Sequence, residues 1–131
     1  MRPANAFERE LHAQADAARA RSYSPYSRFD VGAALALADG GVITGVNVEN
    51  VSFSVTICAE QAAIARAVSE GHRSFTAIAV SGPASSVSPC GACRQVLREF
   101  GGTAMTVTFP HNGSLVTATL EELLPAGFAS L

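Results

Sequence analysis

Three cysteines and one glutamate, set in two short segments, constrain the fold more than any other feature of the sequence. Cys58 and Glu60 stand close together in the middle of the chain, and Cys90 and Cys93 follow later as a C-x-x-C pair. Thiolates suit zinc, and a catalytic zinc site typically uses three protein ligands, which leave the fourth position free for water. The chain must therefore fold so that the two segments meet at one metal ion.

The spacing within each segment predicts where helices begin. Side chains two apart on a helix point in nearly opposite directions, so Cys58 and Glu60 can share a pocket only if Cys58 lies at or before a helix start. Cys90 and Cys93 are three apart and already share one helix face. We expect both pairs at helix N-termini, where the partial positive charge favours the thiolate that a metal requires. Glu60 can then take a proton from a water beside the metal and hand it to a substrate.

Two interpretations without a metal compete with this one. Free cysteines are often buried as small hydrophobic side chains, and a C-x-x-C pair can be a thioredoxin-like redox site. Either would leave the pairing of Cys58 with Glu60 unexplained. A glutamate in the first turn of a helix also gains about 0.3–1 kcal/mol from the helix dipole alone. The position of Glu60 beside a candidate ligand favours the catalytic interpretation.

Composition restricts the partners of the chain. Its 131 residues fit one domain, 1–131, with a single hydrophobic core. The net charge is −2, all nine basic residues are arginine and no basic run occurs, which argues against a nucleic-acid polymer and for a small substrate. No apolar run reaches about eighteen residues, so we expect neither a membrane span nor a signal peptide and place the protein in the cytoplasm. An odd number of cysteines also argues against a disulfide framework.

The hydrophobic pattern predicts a mixed sheet covered by helices. We expect helices over 5–21, 59–70 and 90–100, strands over 31–38, 42–48, 75–80, 105–109 and 115–118, and a last helical turn that ends at 125. The first two strands form an antiparallel hairpin, whereas the later alternation of helices and strands implies parallel strands with helical crossovers. The prediction is an α/β fold with a mixed sheet of five strands.

Local signals define the helix ends. Asn5, with Glu8 three residues on, forms a capping box for the first helix. The apolar stripe of that helix is predicted to be Phe7, Leu11, Ala15 and Ala18. Gly71 is expected to end the second helix, because glycine most easily takes the left-handed conformation there.

Longer stretches around the cysteines carry a resemblance to a known family. Cys58 and Glu60 in C-A-E, with Cys90 and Cys93 in P-C-x-x-C, are similar to the zinc signature of nucleoside and nucleobase deaminases, whose first ligand is given as histidine. With cysteine in that place, the chain resembles the small homotetrameric cytidine deaminases. The similarity extends, in the right order, over 23–35, 45–50, 90–97 and 123–125, together with Phe128.

The resemblance implies a three-layer α/β/α sandwich that deaminates cytidine and 2′-deoxycytidine hydrolytically. One zinc ion per chain would be held by Cys58, Cys90 and Cys93, and it would lower the pKa of a water from about 15.7 toward about 7. Glu60 would take the proton of that water, deliver it to ring nitrogen N3 as C4 is attacked, and later protonate the departing ammonia. The family also implies a homotetramer whose sites are shared between subunits.

The same resemblance assigns side chains to the nucleoside. Asn47 and Glu49, which share a face if a strand continues that far, would bind the ribose hydroxyls. Phe29 would lie against the nucleobase, and Phe128 would reach into the site of a neighbouring subunit. Each also has an ordinary explanation: a solvated strand exit for the pair, a core side chain for Phe29, and a tail anchor for Phe128.

Backbone groups near the metal are the remaining candidates implied by the family. The N–H groups of Ala59 and of Cys90 or its neighbours would hold the carbonyl of the base. The carbonyl of Ser88 would accept a hydrogen bond from the amino group of the base.

One position departs from the family pattern. Tetrameric cytidine deaminases usually have arginine after C-A-E, whereas this chain has Gln61. Zinc with three thiolates carries a formal charge of −1, which weakens it as a Lewis acid. Gln61 can offer only a neutral hydrogen bond, so we expect Arg94, one residue after Cys93, to lie close to the thiolates and supply positive charge.

Two rival functions are left open by the sequence. An aminonucleoside-antibiotic deaminase of the blasticidin type shares the C-A-E motif, although Asn47, Glu49 and the Y-S-P-Y-S stretch favour cytidine. A zinc-bearing binding or interaction protein without activity is the rival from another class. Glu60 argues against it, because a purely structural zinc site gains little from an unliganded carboxylate.

Overall fold

A six-stranded mixed sheet forms the middle layer of the computed structural model, which describes all of residues 1–131. The strands are β1 Arg2–Pro3, β2 Gly32–Leu37, β3 Val42–Val46, β4 Phe75–Ser81, β5 Thr106–His111 and β6 Ser114–Thr119. The helices are α1 Ala6–Ala18, α2 Ala59–Ser69, α3 Gly91–Gly101 and α4 Leu120–Leu123, with short 3₁₀ turns at Arg19–Arg21 and Phe53–Val55.

The strand order is β1-β6-β5-β4-β2-β3, and only the β4–β5 pair is parallel. Because β2 is antiparallel to both β3 and β4, strands β3, β4 and β5 all run in one direction. The predicted hairpin and the helical crossovers through α2 and α3 are therefore confirmed. Both crossover helices begin where a strand of this direction has ended, the side of an open α/β sheet where ligands usually bind.

Helices cover both faces of the sheet, which confirms the three-layer α/β/α sandwich. One face holds α1, in a cluster of small side chains: Leu11, Ala15, Ala34, Ala36, Ala77 and Ala79. The other face holds α2 and α3 over a larger cluster of sixteen buried residues. None of the helices is both long and apolar enough to span a lipid bilayer.

The sheet has six strands instead of the five predicted. The additional strand, β1, is only two residues long and pairs Arg2 with Thr117 and Pro3 with Val116. Two residues give no alternating hydrophobic pattern, and proline is tolerated there because β1 lies at the sheet edge.

The first helix has the predicted capping box but a different inward face. Glu8 N–H donates to Asn5 Oδ1 at 2.9 Å, and Asn5 N–H donates to Glu8 Oε1 at 2.9 Å. Phe7, predicted in the apolar stripe, is 57% exposed, whereas Glu8 is 3% exposed. The carboxylate can turn inward because Arg2 and Thr117 both donate to it. The helix also ends three residues earlier than predicted and continues as the 3₁₀ turn.

Two glycines let the helices lie directly on the sheet. A Cβ on Gly32 would stand 2.0 Å from the carbonyl oxygen of Ala15 in α1, and one on Gly45 would stand 2.4 Å from the nitrogen of Ala63 in α2. Such distances leave no room for any side chain. The close contact at Gly45 sets the position of α2, the helix that begins at Cys58 and Glu60. Gly71 has the predicted left-handed conformation after α2, with φ +95°.

Candidate active site and metal centre

The two cysteine segments meet where α2 and α3 begin. Cys58 is the N-cap of α2, with extended backbone at φ −72° and ψ 155°, and Cys90 is the N-cap of α3 at φ −67° and ψ 169°. Neither side chain caps its helix, so both sulfurs are free to face the metal. Cys93 lies in the first turn of α3, and its side chain is fully buried. The prediction that Cys58 precedes its helix is confirmed, and Glu60 consequently turns to the same side.

The three sulfurs fit a zinc ion. They lie within 4.8 Å of one another, and the Cys90 and Cys93 sulfurs are 3.4 Å apart. Zinc–sulfur bonds of about 2.3 Å in a tetrahedron place the sulfurs a little under about 4 Å apart. No disulfide joins any pair of them. Three thiols therefore offer one zinc ion three protein ligands and an open fourth position.

The thiols differ in acidity because they share hydrogen bonds. The hydrogen bond from Cys93 lowers the pKa of Cys58 to about 7, although burial and the nearby Glu60 carboxylate oppose the shift. The same pairing, with burial, raises the pKa of the Cys93 thiol above its ordinary value. Cys58 thus gives up its proton more readily than Cys93, and a second thiolate needs compensating positive charge.

Glu60 lies beside the sulfurs in a nearly sealed position. It is 5% exposed, and burial raises the pKa of its carboxyl. Its own backbone N–H and a hydrogen bond with Cys93 act in the opposite direction. A carboxyl whose pKa is raised holds a proton more readily, which suits a group that must both accept and return one.

A cavity of about 330 Å³ opens from the metal centre. Its fourteen lining residues are Ser27, Phe29, Val31, Asn47, Glu49, Phe53, Thr56, Cys58, Ala59, Glu60, Val80, Val87, Ser88 and Cys90. Eight of them are hydrophobic, which is typical of a small-molecule site. The cavity therefore joins the metal ligands and Glu60 to most of the residues predicted to bind a nucleoside.

An isolated β-bridge between Val48 and Ile57 brings the predicted sugar-binding residues to this cavity. Val48 and Ile57 exchange two backbone hydrogen bonds of 2.9 Å. Because side chains alternate along extended chain, the residues on either side of the bridge face away from Val48 and Ile57. Asn47 and Glu49 on one segment, and Cys58 on the other, consequently line the cavity together.

Asn47 is held by a set of hydrogen bonds within the protein. Its Oδ1 accepts from Val31 N–H at 3.0 Å and from the Ser22 hydroxyl, and its Nδ2 donates to the Phe29 carbonyl at 2.8 Å. Asn47 is 8% exposed. One amide side chain therefore fixes the backbone of the loop before β2, and that loop forms one wall of the cavity.

Glu49 is held in its charged form at the same wall. Burial alone would raise the pKa of this carboxyl, but the Ser27 hydroxyl and the backbone N–H groups of Ser27 and Tyr26 donate to it and lower the pKa overall. The two backbone hydrogen bonds measure 3.0 Å from Tyr26 and 3.1 Å from Ser27. The cavity thus presents a preformed carboxylate acceptor.

The other predicted binding residues divide into two groups. Phe29, Ala59 and Ser88 line the cavity, and Ala59 is the first residue of α2, where backbone N–H groups have no partner within the helix. Phe128 does not line the cavity of its own chain. It is 55% exposed, and its carbonyl accepts a hydrogen bond of 3.0 Å from Gln95 Nε2 on α3.

Gln61 and Arg94 contact the metal centre in different ways. Gln61 Nε2 donates to Cys93 Sγ at 3.7 Å. Arg94 makes no hydrogen bond to a sulfur, and its expected closeness to the thiolates stays a prediction. Its guanidinium donates to the carbonyls of Pro89, at 2.8 Å, and Leu123, at 2.7 Å. A residue one position after Cys93 is turned about 100° around the helix, so it cannot share the direction of that sulfur.

Sequence reasoning missed six residues of the cavity wall: Ser27, Val31, Phe53, Thr56, Val80 and Val87. Four of them are apolar residues whose pattern is the same as that of core positions, so no sequence signal separates them. Ser27 was within reach of prediction, because it belongs to the Y-S-P-Y-S stretch already singled out.

Comparisons with known proteins agree with this site. The model of the cytidine and deoxycytidylate deaminase zinc-binding region matches residues 6–109. A cytidine deaminase of Sporosarcina psychrophila is 46% identical over 125 residues, which cover 92% of this chain and 90% of that protein. The crystal structure of a cytidine deaminase from Burkholderia pseudomallei superimposes with a TM-score of 0.86 at 43% identity, over 92% of this chain and 98% of that one.

Fold and site together define a zinc-dependent hydrolytic deaminase. The matched residues are more than half of the chain and include the metal ligands and Glu60. The chain belongs to the cytidine and deoxycytidylate deaminase family. A blasticidin-S deaminase of Bacillus cereus is a more distant relative, 39% identical over 76% of this chain and 76% of that protein.

Proposed function

We propose that this enzyme converts cytidine and 2′-deoxycytidine to uridine and 2′-deoxyuridine, with release of ammonia, in pyrimidine salvage. The observation that carries the proposal is the shared cavity: the carboxyl of Glu60, two of the cysteine ligands and the preformed Glu49 carboxylate line one space of about 330 Å³. The residues 1–131 act as a single catalytic domain, and the reduced thiols suit a cytoplasmic enzyme.

Cys58, Cys90 and Cys93 would hold one zinc ion. When bound, zinc supplies Lewis acidity that makes a water nucleophilic near neutral pH. Glu60 takes a proton from that water and donates one to ring nitrogen N3, which makes C4 electrophilic. Once the oxygen has bonded to C4, Glu60 takes the remaining proton from that oxygen and donates it to the amino group. The C4–N bond then breaks and ammonia leaves. The burial of Glu60 keeps bulk water from competing for these protons.

The cavity wall supplies the contacts that hold a nucleoside. Glu49 accepts hydrogen bonds from sugar hydroxyls, and the second N–H of the Asn47 amide, which the loop does not use, is available to a sugar oxygen. Phe29 packs against the base. The N–H of Ala59 donates to the carbonyl of the base, and the carbonyl of Ser88 accepts from its amino group.

The substrate is the free nucleoside and not its phosphate. None of the fourteen lining residues is Arg, Lys or His, and two are glutamates. A phosphate in this cavity would face the Glu49 carboxylate without a cation to balance it. Deoxycytidylate and polynucleotides are therefore poor substrates for this chain.

We also propose a homotetramer in which neighbouring subunits complete each site. The segment between β3 and α2, called here the apolar segment, exposes five apolar side chains: Val48, Val51, Phe53, Val55 and Ile57, from 42% to 82% exposed. So many exposed apolar side chains on one segment suit contact with a second copy of the chain. Phe128 is exposed and free to enter a neighbouring site.

Loss of ultraviolet absorbance on mixing with cytidine tests the proposed reaction. We expect turnover of cytidine and 2′-deoxycytidine, with ammonia released in equal amount, and at most slow turnover of deoxycytidylate. Blasticidin S is the decisive comparison. Turnover of blasticidin S in the absence of cytidine turnover would assign the chain to the antibiotic deaminases, and no turnover of either nucleoside by zinc-loaded protein would overturn the proposal.

A further inference from the structure

Arg19, at the C-terminus of α1, contacts the loop that forms one wall of the cavity. Its Nε donates to the carbonyl and to Oδ2 of Asp30, both at 3.2 Å, and its Nη2 donates to Asp30 Oδ1 at 3.4 Å. The guanidinium thus holds both the backbone and the side chain of a single loop residue. Arg19 itself does not line the cavity.

The loop residue that Arg19 holds lies between two residues of the cavity wall. Phe29 and Val31 both line the cavity, and Asp30 separates them. Asn47 binds these same two neighbours from the inner side, through the Phe29 carbonyl and the Val31 N–H. The wall is therefore fixed at three successive residues, by Asn47 inside and by Arg19 outside.

Arg19 is in turn anchored to the rigid part of the fold. Its Nη1 donates to Asp16 Oδ1 at 3.0 Å, and the same oxygen accepts a hydrogen bond of 2.6 Å from the Ser81 hydroxyl. Ser81 is the last residue of β4 in the centre of the sheet, and it is 2% exposed. A continuous set of polar contacts therefore joins the sheet, through α1, to the cavity wall.

The loop needs this support because its own conformation is unfavourable. Arg28, directly before Phe29, has φ 58°, a left-handed conformation that non-glycine residues rarely adopt. Such conformations persist where the surrounding structure holds them. Besides Arg19, the loop is restrained by Asn47 and by the Ser27 hydroxyl, which accepts from Phe29 N–H at 3.0 Å. Before Phe29, Arg28 N–H donates to the Ser24 carbonyl at 3.0 Å, and Glu49 accepts from the backbone of Tyr26 and Ser27.

We propose that Arg19 is a positioning residue of the active site, which acts through Asp30 to hold Phe29 and Val31 in the conformation that binds the nucleoside. The inference rests on the proposed nucleoside substrate. It concerns binding and not the proton transfers, because Arg19 contacts neither Glu60 nor a cysteine. A purely structural role would lower the amount of active enzyme and leave the Michaelis constant unchanged.

The test is steady-state kinetics of Arg19→Met with cytidine. We expect a KM about tenfold higher with kcat changed less than about threefold, the signature of lost substrate positioning. Arg19→Lys, which keeps the charge, should recover part of the loss, and Asp30→Asn should reproduce it. All variants should retain one zinc per chain. An unchanged KM in both Arg19→Met and Asp30→Asn would overturn the inference.

Arg66→Met is the matched control. Arg66 also donates to one carboxylate, Glu70 at 3.0 Å, and one backbone carbonyl, Thr44 at 3.2 Å, but on a surface away from the cavity. Its loss should leave KM unchanged. A KM raised as much by Arg66→Met would show that any lost arginine contact has this effect, and would overturn the inference.

Amide hydrogen exchange tests the role of Arg19 without relying on deamination of cytidine. In Arg19→Met, the N–H groups of residues 29–31 should exchange about tenfold faster than in the wild type, while those of β4 should be unchanged. In Arg66→Met, the N–H groups of residues 29–31 should exchange as in the wild type. Unchanged exchange at 29–31 would overturn the positioning role even if the wild type deaminates cytidine. Faster exchange at residues 29–31 in Arg19→Met, together with a wild type that does not deaminate cytidine, would contradict the proposed function alone.

Discussion

Three thiols within 4.8 Å of one another can all become thiolates only if a cation balances them, which makes each cysteine a ligand and a structural element at once. We expect about one zinc per purified chain. Cys58→Ala, Cys90→Ala or Cys93→Ala should lose zinc and stability together, because a metal site absent from the unfolded chain adds its binding energy to folding. Metal analysis and thermal unfolding measure both. A zinc-free wild type whose Cys90 and Cys93 form a reversible disulfide would favour a redox protein.

Gln61 and Arg94 support the metal centre unequally. Arg94 makes two short charge-assisted hydrogen bonds to carbonyls, one of them next to Cys90, and each is worth about 1.5–3 kcal/mol. The Gln61 contact to Cys93 is neutral and long, at 3.7 Å. Arg94→Ala should therefore lower the free energy of unfolding by about 2 kcal/mol or more and weaken zinc binding, whereas Gln61→Ala should cost less than about 1 kcal/mol.

Urea unfolding and competition with a chelator compare these two variants directly. Arg94→Ala is expected to cost more because Arg94 holds the carbonyl of Pro89, the residue directly before Cys90. Zinc loss in Gln61→Ala, with Arg94→Ala silent, would show that the hydrogen bond to sulfur matters more than this backbone contact.

The metal ligands and the proton-transfer residue were the part of the site that could be predicted from the sequence. Cys58, Glu60 and the C-x-x-C pair are recognised by their residue types and by the number of residues between them, both of which can be read directly from the sequence. Arg19 was not predictable, because its function depends on where the end of α1 lies relative to a loop residue eleven positions later. Such contacts follow from packing and have no local pattern.

Among the elements, α1 depends at its start on an ion pair between the half-exposed Arg2 and the buried Glu8. Arg2 donates to both oxygens of Glu8 at 2.8 Å, and Thr117 donates at 2.9 Å, so β1, α1 and β6 meet at one carboxylate. The hydrogen bonds from Arg2 outweigh burial and lower the pKa of Glu8 to about 2 from an ordinary 4.5. Because the pKa is lower in the folded state, the stabilisation is complete above pH 4.5 and disappears as the pH falls toward 2.

Glu8→Gln tests this contribution. The variant should lose about 2–3 kcal/mol of unfolding free energy at pH 7, and its difference from wild type should shrink as the pH falls below about 4.5. Glu10→Gln, at an exposed position of the same helix, should change stability by less than about 0.5 kcal/mol. Urea denaturation at several pH values gives both differences. A difference that stays constant down to pH 2 would mean that Glu8 is not ionised in the folded protein.

The contact of Arg2 and Thr117 with Glu8 shows why some elements could be predicted from the sequence better than others. Periodicity and turn residues predict α2, α3 and the hairpin of β2 and β3, since these elements have ordinary hydrophobic faces. The inward face of α1 was predicted with Phe7, yet Glu8 takes that place because residues 2 and 117 satisfy its charge. Hydrophobic pattern alone cannot anticipate a buried carboxylate whose partners lie far away in sequence.

As a whole molecule, the chain leaves the apolar segment between β3 and α2 exposed and Phe128 outside its own cavity. We expect light scattering to give the mass of a homotetramer. Phe128→Ala should raise the KM for cytidine, because an aromatic side chain from a neighbour would be missing from each site. Phe7→Ala, at another exposed phenylalanine on α1, should not. A fully active monomer, or an unchanged KM in Phe128→Ala, would contradict a shared site.

In the proposed mechanism, Glu60 transfers the protons at a cavity whose metal would be held by three cysteines. Measurement of kcat for cytidine in Glu60→Gln, with zinc content determined on the same sample, tests it most directly. Glutamine has the same shape but cannot carry a proton, so we predict one zinc per chain and a kcat lower by a factor of about 10²–10⁴. Glu70→Gln, on the exposed end of the same helix, should keep full activity. A zinc-loaded Glu60→Gln enzyme within about tenfold of wild type would contradict the account.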